Sequence, residues 1–372
     1  MLRNIQTLRF FAAFVVVLHH MTPPVTPFTL TLLPEAVTRL GFAGVDLFFV
    51  ISGLIMAETT KTLKPGWHSA TRFLIQRFGR IYIGWWPFFF IYLVAAWSFK
   101  SIKPQTSLWG SFFLWPQDLM LYLLPITWTL SFELYFYVAV ALIILWQRRN
   151  APKILGVIGL VLIIFNIWLY MNGMYLPENE AKAKTSLLIP FYASPLVVEF
   201  IAGFLLAEFI RRYPKQPIYI WTTGAIIFLA AAYFYQIHGN LNASGMAGFF
   251  HNGERAILFG GFSCCLIACA MELERRGITP WKSLQSLGDA SYSIYLSHIM
   301  ILIAMSKTYN NFPIHLPNVF WAISTLAATL IFSWIWYRWI ELPIYQILKR
   351  KISIWFGASA LKRTNPTKSQ SL

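Results

Sequence analysis

The sequence predicts an all-α protein, a polytopic membrane bundle of about ten transmembrane helices with both termini in the cytoplasm. Composition is the first reason. Hydrophobic residues make up 57% of the chain and charged residues only 12%, whereas soluble domains contain roughly 25% charged residues. The second reason is that the hydrophobic residues form runs long enough to cross a bilayer. The third is the distribution of Lys and Arg between the connections that join these runs.

The predicted spans are apolar runs bounded by charged residues or by Pro and Gly. Each is close to the roughly 20 residues that a helix needs to cross the hydrocarbon core. The predicted spans cover residues 6–22, 40–57, 80–99, 126–146, 153–171, 187–207, 218–236, 254–271, 288–306 and 317–338. A stretch rich in Pro and Trp, residues 104–125, follows the third span, where we expect a re-entrant or interfacial segment.

Positive charge alternates between the two sides of this topology. With a cytoplasmic N-terminus, most Lys and Arg residues fall in the cytoplasmic connections, as the positive-inside rule requires for an even number of spans. This distribution explains the net charge of +16, so we predict contact with anionic membrane lipids and no nucleic-acid binding. The chain then divides into a membrane domain, residues 3–340, and a basic cytoplasmic tail, residues 341–372, which we expect to be partly disordered.

Two ionisable residues, Arg9 and His20, lie in the first apolar run, LRFFAAFVVVLHH. A helix returns positions 9 and 20 to the same face, about 16 Å apart along its axis. Such residues are costly inside a membrane, so they indicate a functional site unless other evidence explains them. The adjacent His19 lies about 100° away around the helix, so spacing favours His20 as the acting imidazole.

Three further ionisable residues, Asp46, Glu133 and His298, lie inside the second, fourth and ninth spans. By their distance from the span ends, we expect them at a depth similar to that of His20. A carboxylate beside an imidazole fixes the ring tautomer and favours the imidazolium form. We therefore predict that His20 is a general base, that Asp46 or Glu133 orients it, and that His298 shares the site. The alternative is that these groups only hold helices together.

Three arginines, Arg72, Arg77 and Arg80, lie in the run TRFLIQRFGRIY, in a predicted cytoplasmic loop before the third span. Guanidinium groups match the geometry of phosphate oxygens. We therefore predict a site for a phosphorylated ligand, which Arg9 extends toward the membrane interior. The alternative is that these residues only fix the topology.

Metal and nucleotide sites are not predicted. The three cysteines fall in one apolar run without zinc-ligand spacing, so we interpret them as packing residues. The sequence has no P-loop, GxGxxG, HExxH or GxSxG motif. ATP-driven transport and metal-dependent hydrolysis are therefore not supported.

Taken in order, these motifs resemble the acyltransferase 3 family of bacterial integral-membrane O-acyltransferases. The resemblance covers about residues 3–340. It rests on the Arg9–His20 pair, GVDLFFVISG, the arginine-rich run ending in RIY, WTLSFELYFY, LGDASYSIYLSH and WIELP. The short connections most resemble members that modify exopolysaccharides or other surface glycans. The doubled His19-His20 is a departure from the family pattern.

The resemblance implies an activity at the bacterial inner (plasma) membrane. An acyl group, expected to be acetyl, passes from cytoplasmic acyl-CoA to a hydroxyl of a glycan or lipid-linked sugar, and no metal takes part. In that reaction Arg77 and Arg80, with Arg72, are expected to bind the CoA phosphates. Arg9 is expected to position the acyl donor or stabilise the thioester oxyanion, and His20 to activate the acceptor hydroxyl.

Two other functions fit the same residues. One is a proton-coupled secondary transporter of a polar solute, in which the buried His, Asp and Glu residues form a relay. The absence of an evident internal repeat argues mildly against it. The other is a non-catalytic partner in a glycan-export complex.

Overall fold

The computed structural model of the protein describes residues 3–22, 25–28, 39–173, 191–238, 253–312 and 316–363. Over these residues the regular structure is helical and contains no strand, which confirms the predicted all-α class for this part of the chain. The helices are α1 (Arg3–His20), α2 (Gly44–Thr60), α3 (Trp67–Ser98), α4 (Leu108–Phe113), α5 (Trp128–Gln147), α6 (Ala151–Met171), α7 (Pro195–Arg212), α8 (Ile218–His238), α9 (Gly253–Arg275), α10 (Lys282–Asp289), α11 (Ser291–Asn311), α12 (Asn318–Trp336) and α13 (Leu342–Arg363). A π-helical turn, Tyr337–Glu341, joins α12 to α13.

Within these ranges, seven helical stretches are long and apolar enough to cross a membrane. They are Gly41–Thr60, Trp67–Ser98, Pro125–Trp146, Ala151–Met171, Ile218–His238, Gly253–Arg275 and Asn318–Gly357. The bent pair α10–α11, with an angle of 69° between its helices, is an eighth if it counts as one span. The chain is therefore a multi-pass membrane protein. The count of about ten spans and the cytoplasmic termini stay predictions.

The third span differs from the prediction in its starting point. Helix α3 begins at Trp67, so Arg72, Arg77 and Arg80 lie on a helix and not in a loop. At 1.5 Å per residue its 32 residues extend roughly 48 Å. Its first turns are amphipathic and carry fewer apolar residues than the part inside the membrane, which is why the apolar run starts later than the helix.

Residues 104–125, the expected re-entrant or interfacial segment, contain α4 and lie beside the middle of α3. The Trp85 indole donates a hydrogen bond to the carbonyl oxygen of Ser111, at 2.9 Å. The Tyr82 hydroxyl donates another to the carbonyl oxygen of Phe113, at 2.8 Å. This segment therefore packs onto α3 at a depth between its two ends.

Helix α2 is at the centre of the bundle and contacts α1, α7 and α9. Two glycines let it cross α7 closely. A Cβ atom at Gly53 would overlap the backbone of Phe200, and one at Gly203 would overlap the backbone of Val50. Small residues at such a crossing bring helix backbones into direct contact in a membrane, where hydrophobic burial contributes little.

The predicted tail is helical as far as Arg363 and packs along α3. Ile352 is fully buried, and the rings of His68 and Phe356 lie 4.9 Å apart between centroids. Residues 364–372 lie outside the described part of the chain, so the expected disorder there stays a prediction. The predicted domain boundary at residue 340 falls inside the π-helical turn.

Candidate functional site

The bundle encloses a cavity of about 730 Å³, which we call the arginine cavity. Its wall is formed by α1, α2, α3, α5, the α10–α11 bend, the π-helical turn and α13. Its charged lining residues are Arg9, Glu58, Arg77, Arg80, Glu133, Asp289 and Lys349. A cavity of this size that gathers several cations inside a membrane bundle is suited to an anionic ligand.

Arg9 lines this cavity from α1. Its Nη1 donates a hydrogen bond to Gln6 Oε1, at 3.2 Å, and Gln6 Nε2 donates to Asp289 Oδ1, at 2.6 Å. The guanidinium therefore faces a polar interior, as we expect for a functional arginine within a membrane helix. Sequence reasoning missed both Gln6 and Asp289, because neither is unusual near the end of an apolar run.

Arg80 also lines the cavity and has a buried carboxylate beside it. Glu341 Oε1 lies 3.7 Å from Arg80 Nη2, and Glu341 Oε2 accepts a hydrogen bond from Ser293 Oγ at 2.6 Å. The guanidinium also lies over the ring of Tyr345, 5.3 Å from its centroid. Glu341 was not predicted as a site residue. The signal was present in WIELP, where one acidic residue interrupts an apolar stretch.

The other two predicted phosphate ligands have different positions. Arg77 lines the cavity, and its Nη2 donates to Thr59 Oγ1 at 2.9 Å. Its guanidinium lies 5.8 Å from the ring centroid of Tyr137. Arg72 is exposed and does not line the cavity. The structure therefore brings Arg9, Arg77 and Arg80 together, and separates Arg72 from them.

Glu133 also lines the arginine cavity. Its Oε1 accepts hydrogen bonds from the hydroxyls of Tyr137, one turn along α5, and of Ser52 on α2. The observed partners of Glu133 are therefore hydroxyl groups, whereas we expected an imidazole. Neither of these hydrogen bonds supports its predicted role in orienting His20.

His20 and His298 form a second cluster, which we call the imidazole pair. Their ring centroids are 5.1 Å apart. His20 Nδ1 lies 3.0 Å from the carbonyl oxygen of Val16, and His298 Nδ1 lies 2.6 Å from that of Tyr295. Because a carbonyl oxygen only accepts hydrogen bonds, we assign the ring proton to Nδ1 in both residues. Each Nε2 then carries a lone pair, the form that a general base requires.

Tyr295 lies between the imidazole pair and the arginine cavity. It lines the cavity, and its ring centroid is 5.7 Å from that of His298. Its hydroxyl donates to the carbonyl oxygen of Ile126 at 2.9 Å and accepts from Thr129 at 3.1 Å. Neither imidazole is among the lining residues. Tyr295 therefore contacts both the charged cavity and the His298 ring.

Asp46 lies in a different cluster from the one we expected. Its two oxygens accept hydrogen bonds from Arg255, at 2.8 Å from Nε and 2.7 Å from Nη2. Both residues are buried, and the guanidinium also lies over the ring of Phe42. This bidentate pair joins α2 to α9. Asp46 therefore has a guanidinium as its observed partner, and a role beside His20 stays a prediction.

The described residues contain no group of three or more His, Cys, Asp or Glu side chains placed to hold a metal ion. The three cysteines are unpaired thiols on α9. The predicted absence of a metal cofactor stays a prediction.

Comparison with known proteins identifies the family. A family described as an acyltransferase domain, acyltransferase 3, matches residues 2–338. The chain belongs to the acyltransferase 3 family. As a member of this family, the protein is an enzyme that transfers an acyl group from a donor to an acceptor. The matched residues include Arg9, Arg77, Arg80 and both members of the imidazole pair, and they end three residues before Glu341.

Among curated proteins, the chain is similar to the exopolysaccharide production protein ExoZ of Rhizobium meliloti (strain 1021). The two sequences are 27% identical over 316 residues, which cover 78% of this acyltransferase 3 chain and 86% of the relative. No solved structure matches the chain.

Proposed function

We propose that this protein is a membrane O-acyltransferase that transfers an acetyl group from cytoplasmic acetyl-CoA to a hydroxyl of an exopolysaccharide or other surface glycan. One observation carries the proposal: a cavity that holds three guanidinium groups adjoins two imidazoles with Nε2 lone pairs. Family membership supports acyl transfer. The name of the Rhizobium relative supports an exopolysaccharide as the acceptor.

The arginine cavity is the site proposed for the acyl donor. CoA carries several phosphate groups, and arginine binds phosphate through parallel N–H···O bonds. Arg77 and Arg80 lie in the first half of α3, toward the predicted cytoplasmic side, and Lys349 of α13 is an exposed cation that lines the same cavity. Arg9 contacts the cavity from the first helix and is the cation proposed to position the acyl donor there.

The part of the cavity next to the imidazole pair supports acetyl as the acyl group. Phe48, Thr129 and Tyr295 line it and carry no charge. Glu133, one helical turn from Thr129, is the acidic residue on this face of α5. A carboxylate-bearing acyl group such as succinyl would meet negative charge here. A short neutral group, acetyl, avoids that repulsion.

The proposed reaction is a direct transfer. His20 Nε2 removes the proton of the acceptor hydroxyl while the hydroxyl oxygen attacks the thioester carbonyl. A C–O bond forms, the C–S bond breaks, and the proton on His20 passes to the CoA sulfur. Arg9, roughly 16 Å from His20 along the axis of α1, positions the acyl donor through its anionic groups and does not touch the reacting carbonyl. The acceptor hydroxyl enters from the predicted outer side of the bacterial inner membrane.

The experiment uses the full-length protein in lipid nanodiscs with radiolabelled acetyl-CoA and surface glycan from cells that lack the gene. We expect label to appear in the glycan as an ester that mild alkali removes. Mass spectrometry of glycan from cells with and without the gene checks the same result in vivo. Uptake of a solute by proteoliposomes, with no ester formed in either assay, contradicts the proposal and supports the transporter.

A further inference from the structure

A hydrogen-bonded chain of three side chains, Arg9, Gln6 and Asp289, connects α1 to the bend between α10 and α11. Gln6 is in the middle: its amide oxygen accepts from Arg9 at 3.2 Å, and its amide nitrogen donates to Asp289 at 2.6 Å. Gln6 is only 5% exposed. All three residues line the arginine cavity.

The backbone fixes the ends of this chain. Asp289 is the last residue of α10, and α11 leaves it at an angle of 69°. The preceding residue, Gly288, packs so closely on α1 that a Cβ atom there would overlap the carbonyl of Gln6. The bend therefore packs against α1 at Gln6, the residue that bonds Arg9. Asp289 has little freedom to move away from Gln6.

The charges in the cavity explain why Asp289 contacts Arg9 through Gln6 and not directly. Arg9 shares the cavity with Arg77 and Arg80, and like charges in a low-dielectric interior repel one another. A carboxylate in direct contact with Arg9 would offset the repulsion but would compete with the ligand for the N–H groups. Here the carboxylate of Asp289 acts through an amide, and the bond to Gln6 uses one of the five N–H groups of the guanidinium.

We propose that Gln6 and Asp289 are positioning residues that hold the Arg9 guanidinium toward the acyl donor and leave most of its N–H groups for that ligand. This inference rests on the proposed function, in which Arg9 helps to position acetyl-CoA in the arginine cavity. The two residues act through Arg9 and do not touch the reacting atoms.

The test exchanges the amide and the carboxylate. Gln6→Glu removes the N–H donor to Asp289 and places the two carboxylates of positions 6 and 289 against each other. It also places a negative charge in direct contact with the Arg9 guanidinium. We expect the KM for acetyl-CoA to rise on the order of tenfold, the effect of losing one charge-assisted hydrogen bond, while the KM for the glycan stays constant. The double variant Gln6→Glu/Asp289→Asn restores a donor and an acceptor in reversed order. Because a carboxylate still contacts Arg9 directly, its KM for acetyl-CoA should recover only in part, to about threefold above the wild-type value.

Matched controls separate positioning from folding. Gln346→Glu changes an exposed glutamine of α13 outside the cavity and should leave both KM values unchanged. A merely structural role of Gln6 lowers the yield of folded protein and kcat together without moving the KM for acetyl-CoA. If Gln6→Glu does not accumulate, Gln6→Met, which removes both hydrogen bonds and adds no charge, replaces it in the comparison.

Arg9→Ala, assayed in parallel, distinguishes the two proposals. A raised KM for acetyl-CoA in Arg9→Ala, with a wild-type KM in Gln6→Glu or no recovery in the double variant, overturns the positioning role alone. An unchanged KM in Arg9→Ala overturns the role of Arg9 in the proposed function, and the positioning role with it.

Discussion

The imidazoles of His20 on α1 and His298 on α11 lie 5.1 Å apart between ring centroids. Each ring is held by a backbone carbonyl of its own helix, one turn or less away. These positions are 278 residues apart in the sequence, and the fold brings them together beyond Tyr295, next to the arginine cavity. The pair therefore connects the first membrane helix with the helix that follows the α10–α11 bend.

His298 should support the reaction less directly than His20. We expect His298→Ala to lower kcat roughly tenfold, because it removes the ring packed against His20, and it should not change the KM for acetyl-CoA. His298→Gln retains a hydrogen-bonding side chain and should retain more activity. Single-turnover transfer of acetyl from labelled acetyl-CoA measures the effect. Wild-type kcat in both variants contradicts a role for this residue.

The three arginines of α3 should fall into two classes. Arg77→Ala and Arg80→Ala should each raise the KM for acetyl-CoA on the order of tenfold, because each removes a charge-assisted contact to phosphate. Arg72→Ala should have no such effect, since Arg72 is exposed and outside the cavity. The comparison is a set of steady-state KM values. An equal effect of all three substitutions would mean that overall positive charge, and not the cavity, binds the acyl donor.

The Asp46–Arg255 pair should be important for stability. Arg255→Met leaves a buried carboxylate without its partner, so we expect a loss of about 3–5 kcal/mol in the free energy of unfolding. The double variant Asp46→Leu/Arg255→Met should recover most of that loss, because the Asp46 carboxylate is removed together with its partner. Thermal unfolding in detergent measures both. A stable, folded Asp46→Asn variant without transferase activity would instead support the predicted catalytic role of Asp46.

Much of the fold was predictable from the apolar runs, because the length of a run and the charges at its ends determine whether it crosses a membrane. The helix boundaries were less predictable. The arginines of α3 were placed in a loop because the first turns of that helix are amphipathic. The π-helical turn that directs Glu341 toward Arg80 has no signal in hydropathy.

The sequence predicted which residues belong to the site better than it predicted which of them contact one another. Arg9 and His20 could be related because they share one helix, whose periodicity is known. Asp46 and Glu133 were assigned to His20 by depth alone, and depth does not say which way a residue faces around its helix. The fold pairs Asp46 with Arg255 and Glu133 with Tyr137, because rotation of α2 and α5 about their axes depends on packing that one sequence does not show.

The most direct test of the account measures transfer of labelled acetyl from acetyl-CoA to glycan by His20→Ala in nanodiscs. His238→Ala, which changes an exposed histidine at the end of α8, is the matched control. We expect kcat to fall about 10²–10⁴-fold in His20→Ala, the usual contribution of a general base, with normal folding, normal binding of acetyl-CoA and full activity in the control. Transfer by folded His20→Ala at the wild-type rate would contradict the account.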